Sequence, residues 1–183
     1  DWNQVKAAGV EFVMIRIGLR GYGSGVLCED TLAQENYKGA KEAGLKVGGY
    51  FFSQAISVEE AIEEAHYAME IADGWELDMP LVYDWECLAD DYRTVSVNAR
   101  LLTDCTKAFC DTVAEAGYDP MIYFNPSQSR KQMYLEELTE YGFWLAMYSE
   151  EMNYPYKVDM WQYTNKGSVP GIKGDVDINL FFP

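Results

Sequence analysis

The sequence predicts an α/β protein of the irregular, TIM-like (β/α) barrel type, with the first strand of the barrel missing from this chain. Three observations carry that expectation. β-Branched and aromatic runs alternate with segments of helical period through the first three quarters of the chain, which implies parallel strands joined by right-handed helical crossovers. Three further short strands close the sequence, for seven in all. The chain opens on a helix, where a strand-helix unit would open on its strand. One added strand brings the count to the eight of a closed barrel. No internal repeat or low-complexity linker divides residues 1–183, so they read as a single domain.

The elements follow in order. "DWNQVKAAG" begins with a capping Asp1 and stops at Gly9, a short helix. "VEFVMIRIG" is a strand, "LRGYGSGVLCED" a loop, and "TLAQENYKGAKEAG" a helix. "LKVGGYFFSQA" is the second strand. The long helix after it has Ser57 as N-cap and Glu60 three residues on, a capping pattern. "MPLVYDWE" is the third strand, and "SVNARLLTDCTKAFCDTVAEAG" the next long helix. "PMIYFN" is a fourth strand, followed by the expected shorter helix "SRKQMYLEELTEYG". "FWLAMY", "DMWQYT" and "DVDINLFF" are strands joined by loops. A barrel short of one strand exposes unpaired backbone on the "VEFVMIRIG" side and on "DVDINLFF". Those edges are expected to be marginal or to pair with another chain, edge-strand self-association included.

Composition removes several functions. A formal net charge of -16 leaves no basic surface for nucleic acid or anionic lipid, and no apolar run is long enough for membrane insertion. The single histidine, His66, lies in "VEEAIEEAHYAMEIA" on the polar face of a helix, so a two-histidine zinc site is excluded and a Ser-His-Asp triad has no nucleophile motif to use. Cys28, Cys87, Cys105 and Cys110 lack the spacing of a metal knuckle or disulfide scaffold and are expected to be free thiols. "GYGSG" lacks the spacing of a phosphate loop. "DVDIN" lacks the glycine and the distal glutamate of a calcium loop. Fourteen tyrosines and five tryptophans suit the faces of sugars, and they are equally ordinary core material.

The stretch "PLVYDWECL" ends an apolar strand in two acids. Residues two apart on a strand point to the same side at about 6.6 Å, so Asp84 and Glu86 share a face while Trp85 and Cys87 take the other. Strand C-termini form the functional face of parallel barrels. Two neighbouring carboxylates repel on ionising, which keeps a protonated acid beside an anion. That is the equipment for cleaving a glycosidic bond. The structural alternative is a salt bridge to Arg16 or Arg93.

"DWNQVKAAGVEFVMIRIG", "AGLKVGGYFFSQA", "MPLVYDWE", "AGYDPMIYFN", "FWLAMY", "DMWQYT" and "VDINLF", in that order, resemble the lysozymes of glycoside hydrolase family 25, N-acetylmuramidases of bacteria and their phages. The resemblance covers nearly the whole chain. It implies an irregular α/β barrel that cleaves the β-1,4 bond between N-acetylmuramic acid and N-acetylglucosamine in peptidoglycan, with no metal and no cofactor. The partner implied is the peptidoglycan glycan strand. The place of action implied is the cell wall or extracellular space, reached by export or by phage lysis. Glu86 matches the family's general acid, Asp84 its acidic partner, and Asp177 a further acid near the end of the catalytic domain. Tyr50, Tyr123, Asn125, Trp144, Trp161 and Gln162 match residues lining the sugar groove, with core packing the alternative for each aromatic. Phe51 stands where the family often has histidine, which puts one polar groove contact in doubt. The family's upstream strand, resembling G-I-D-V-S, carries another active-site aspartate, so this chain is expected to lack one member of the acidic cluster. Two rivals share features: a chitinase-like D-x-D-x-E hydrolase, opposed by Val82 at its first acidic position, and an inactive wall-binding module.

Overall fold

The computed structural model describes residues 1–87 and 92–182. Helix α1 (Trp2–Ala7) starts at Asp1, whose side chain accepts from the backbone N–H groups of Asn3 and Gln4. Strands β1 (Phe12–Arg20) and β2 (Leu27–Glu29), helix α2 (Ala33–Glu42), β3 (Lys46–Ser53), α3 (Val58–Ile71), β4 (Leu81–Trp85), α4 (Ala99–Glu115), β5 (Pro120–Phe124), α5 (Pro126–Lys131), β6 (Gly142–Ala146), β7 (Met160–Gly167) and β8 (Val176–Phe181) follow. Among the described residues these eight strands form one curled sheet in the order β2-β1-β3-β4-β5-β6-β7-β8, an irregular half-barrel with its helices outside.

The sequence reading needs three corrections. The loop after the first strand contains β2, which pairs antiparallel with Gly18–Arg20 of β1; three residues are too few to show an alternating pattern. The helix expected over 129–142 is instead α5 and a 3₁₀ turn at Leu135–Glu137. Asn125 starts α5 early, accepting from the backbone N–H groups of Ser127 and Gln128, with Gln128 completing the capping box and Pro126 at the first helical position. Finally, β8 runs antiparallel to β7. Residues 168–175 are too few for a parallel crossover, which takes a dozen or more. The 147–159 connection has that length, and β7 accordingly lies parallel to β6.

The sheet is open between β1 and β8. Among the described residues, the side of β1 away from β3 is paired only where β2 covers Gly18–Arg20 and where Asp30 N–H reaches the Ile17 carbonyl at 3.0 Å. Across the opening the rings of Phe12 and Phe181 stand edge to face at 6.1 Å.

Strand alternation divides the side chains into two layers. The outer layer, between sheet and helices, includes Ile17, Phe51, Leu81, Tyr83, Ile122, Phe124 and Leu145, packed against residues such as Phe109 of α4. The inner layer is a plug of Met79, Val82, Met121, Trp144 and Met160, with Tyr50 and Tyr123 above it. Gly48 has no side chain because Met14 and Met79 occupy the space a Cβ would need. Burying each large plug residue contributes about 1.5–3 kcal/mol, and the plug sets the floor beneath the strand C-termini.

His66 is exposed on α3, and the four cysteines are free, with Cys105 and Cys110 buried in α4. Among the described residues no helix is long and apolar enough to cross a membrane.

Candidate active site

Strand β4 is buried on both faces, and its alternation sends Val82 and Asp84 inward, Tyr83 and Trp85 outward. Asp84 sits in register between Phe52 of β3 and Tyr123 of β5, one layer above the Val82 plug. Glu86 follows just beyond the strand end. Both acids open into a groove of about 1090 Å³ between β1 and β8, to which Asp177 of β8 presents its carboxyl from the opposite wall.

The salt-bridge alternative fails. Arg16 pairs with Asp30 at 2.8 Å and Arg93 with Glu60 at 2.6 Å. Among the described residues neither Asp84 nor Glu86 joins an ion pair. Asp84 is only 6% exposed, and among the described residues its Oδ1 has no hydrogen-bond partner. A buried carboxylate in that state is costly to ionise. Its pKa is raised well above the ordinary range by burial first, then by the charges of Glu86 and Asp177, with Arg16 opposing. Glu86 is raised by burial and then by Asp177, and Asp177 by burial. The pair Asp84 and Glu86 therefore titrates as a unit that retains a proton above the usual carboxylate range.

The aromatic wall is continuous with the acids. Trp144 stands edge to face with Tyr123 at 5.0 Å and with Tyr50 at 6.2 Å, and its Nε1 donates to Asn179 Oδ1 at 2.9 Å. Gln162, 3% exposed, accepts at Oε1 from the hydroxyls of Tyr123 at 3.0 Å and Tyr148 at 2.9 Å. Tyr50, Tyr123, Trp144 and Gln162 thus line the groove with Asp84, Glu86 and Asp177. Asn125 and Trp161 stand away from it. The Asn125 side chain caps α5, and Trp161, on the opposite face of β7 from Gln162, donates from Nε1 to the Met147 carbonyl. Phe51 points into the helix layer against Tyr67, so its departure from histidine removes no groove contact.

Arg16, Asn179 and Phe181 also line the groove, and Tyr148 adjoins it through its bond to Gln162; none is among the site residues expected from the sequence. A signal existed for three: Arg16 shares the inward period of Phe12 and Met14, and Asn179 and Phe181 share that of Asp177. Tyr148 follows a strand end and carries no periodic signal. Among the described residues no group of three or more His, Cys, Asp or Glu side chains is arranged to hold a metal ion.

Two acids with raised pKa values at the strand C-termini of an α/β half-barrel, facing an aromatic-walled groove, are the arrangement on which glycosidic-bond cleavage draws. The chain belongs to the glycosyl hydrolases family 25, whose sequence model matches residues 1–172. It is 28% identical to the autolytic lysozyme of Clostridium acetobutylicum over 99% of this chain and 52% of that protein. It is 25% identical to lysozyme M1 of Streptomyces globisporus over 99% of this chain and 63% of that one. The chain thus spans about half to two thirds of the length of these relatives. The Streptomyces coelicolor lysozyme structure superposes with a TM-score of 0.79 at 26% identity, covering 98% of this chain and 85% of that one. The modular autolysin LytC of Streptococcus pneumoniae, also solved with a synthetic peptidoglycan ligand, matches the fold with a TM-score of 0.85 over all of this chain and 43% of its own.

Proposed function

We propose that this chain is a muramidase catalytic domain that hydrolyses the β-1,4 bond between N-acetylmuramic acid and N-acetylglucosamine in peptidoglycan. The observation that carries this reading is the unpaired, buried Asp84 carboxyl beside Glu86 on the groove floor. Glu86, the less buried of the two, donates its proton to the leaving glycosidic oxygen and then activates water as its conjugate base. Asp84 orients the substrate's 2-acetamido group, which attacks as an internal nucleophile and gives retention. Burial first, and then the negative charge of Asp177, raises the pKa of Glu86 and so favours its protonated form. Tyr50, Tyr123, Tyr148 and Trp144 present ring edges and hydroxyls to the sugars.

The wall, reached by export or by phage lysis, fits the lysozyme and autolysin relatives and the CTP1L endolysin that shares the fold. A D-x-D-x-E hydrolase is disfavoured because Val82, fully buried in the plug, occupies the first acidic position.

The test is to digest purified peptidoglycan, reduce the new ends with borohydride and identify the sugar alcohol. N-acetylmuramitol is expected from the wild type and none from Glu86→Gln. N-acetylglucosaminitol would make the enzyme a glucosaminidase.

A further inference from the structure

Glu86 lies one residue past the end of β4, where the sheet no longer holds it. Ladder pairing ends at Trp85 on the β3 side and at Asp84 on the β5 side. The carbonyls of Trp85 and Glu86 should therefore be loose ends, yet each is bonded. Gln54, immediately after β3, donates from Nε2 to the Glu86 carbonyl at 2.6 Å and to the Ser53 carbonyl at 2.8 Å. Gln128, in the first turn of α5, donates from Nε2 to the Trp85 carbonyl at 2.7 Å. We propose that Gln54 and Gln128 are positioning residues that extend the β4 ladder by side chain and fix the backbone from which the Glu86 carboxyl projects.

Both amides are buried, at 0% and 4% exposure, and each is anchored on its own side. The Gln54 backbone N–H donates to Glu64 Oε1 at 3.3 Å, and Glu64 is held by Arg20 Nε at 2.8 Å. The Gln128 Oε1 accepts from the Asn125 backbone N–H at 2.9 Å, part of the capping box that starts α5. The Trp85 indole adds a third tie, donating to the Ala55 carbonyl at 2.9 Å. The orientation of Gln54 is chemically forced, since two carbonyls face its amide nitrogen. Among the described residues its Oε1 is buried without a partner, a cost that a core leucine would avoid. A buried amide that spends both donors and tolerates an orphaned acceptor is suited to holding that carbonyl rather than to packing. A catalytic group needs such support because a misplacement of about 1 Å costs on the order of 10²-fold in rate.

This inference rests on Glu86 being the acid, and the test separates the two. Gln54→Met and Gln128→Met keep shape and remove the donors. Gln54→Asn and Gln128→Asn keep the amide but withdraw it by one methylene, and serve if a methionine variant does not fold. On soluble glycan fragments of peptidoglycan, kcat is expected to fall about 10- to 100-fold with KM within about two-fold. Thr106→Val, which removes a buried hydroxyl bond inside α4 away from the groove, is the control for general destabilisation and is expected to leave kcat unchanged. Added to Glu86→Gln, the glutamine variants are expected to cause no further loss, because a misplaced acid and an absent acid fail at the same step. Wild-type kcat in folded Gln54 and Gln128 variants, with Glu86→Gln inactive, overturns the positioning role alone. A fall in KM affinity without a fall in kcat overturns it as well. Full activity of Glu86→Gln overturns the acid assignment and this inference together.

Discussion

The indole Nε1 of Trp144 donates to Asn179 Oδ1 at 2.9 Å, tying β6 to β8 across β7. Trp144 is 4% exposed, so this donor has little access to water. Asn179→Ala strands it, and the expected cost is about 1–3 kcal/mol in urea unfolding. Because Asn179 shares a strand face with Asp177, activity should fall by more than the stability loss explains. Unchanged stability would show that the bond is dispensable.

Asp84→Asn should separate stability from catalysis. The folded pKa of Asp84 lies above its unfolded value, so wild-type stability is fully present below the unfolded pKa and declines as pH rises through the folded pKa. The variant lacks that decline. Its melting temperature is expected to match the wild type near pH 4 and to exceed it near pH 8, by about 2–4 °C for each kcal/mol recovered. Lytic activity is expected to drop about 10²-fold or more. A lower melting temperature at pH 8 would mean that the carboxylate has a partner.

Asp177→Asn should move the pH profile. As the proposed general acid Glu86 must be protonated to act, so activity is expected to fall as pH rises through its pKa, which burial raises first and the Asp177 charge raises further. Removing the charge is expected to shift the alkaline limb of kcat to lower pH. A limb that stays in place at reduced amplitude would give Asp177 a contact role instead.

Tyr148 is 53% exposed and reaches Gln162 through its hydroxyl. Tyr148→Ala is expected to change stability by less than about 0.5 kcal/mol, as a surface substitution, while raising KM several-fold. Unaltered KM on glycan fragments would remove it from the binding wall.

Where backbone period and burial agree, the sequence was sufficient. The "YDWE" pair could be placed at a strand end, on one face, from alternation alone, and the structure adds that among the described residues Asp84 joins no ion pair, Arg16 and Arg93 being paired elsewhere. Asn125 and Trp161 show the limit. Their residue types suit a sugar groove, but one is consumed by a helix start and the other faces outward, and both outcomes depend on local backbone geometry rather than composition. Strand β2 escaped notice because three residues carry no period, whereas the antiparallel direction of β8 was legible in the short connection before it, which leaves no room for a parallel crossover. Gln54 and Gln128 gave no sequence signal, since their acceptors lie 32 and 43 residues away in the chain.

The antiparallel hairpin of β7 and β8 gives the groove one wall that is thermodynamically separable from the rest. Among the described residues strand β8 has a single neighbour in the sheet, whereas β4 is flanked on both sides, so β8 is expected to open by local fluctuation well below the free energy of global unfolding. Each opening carries Asp177 away and leaves Asp84 and Glu86 in a shallower, wetter trough with less negative potential. Amide hydrogen exchange should therefore be faster along Val176–Phe181 than along Leu81–Trp85, and ligands that bridge the groove should slow the former selectively. Substrate would then act as the missing clamp on a hinged wall, so that binding itself restores the burial and the Asp177 charge that raise the pKa of Glu86.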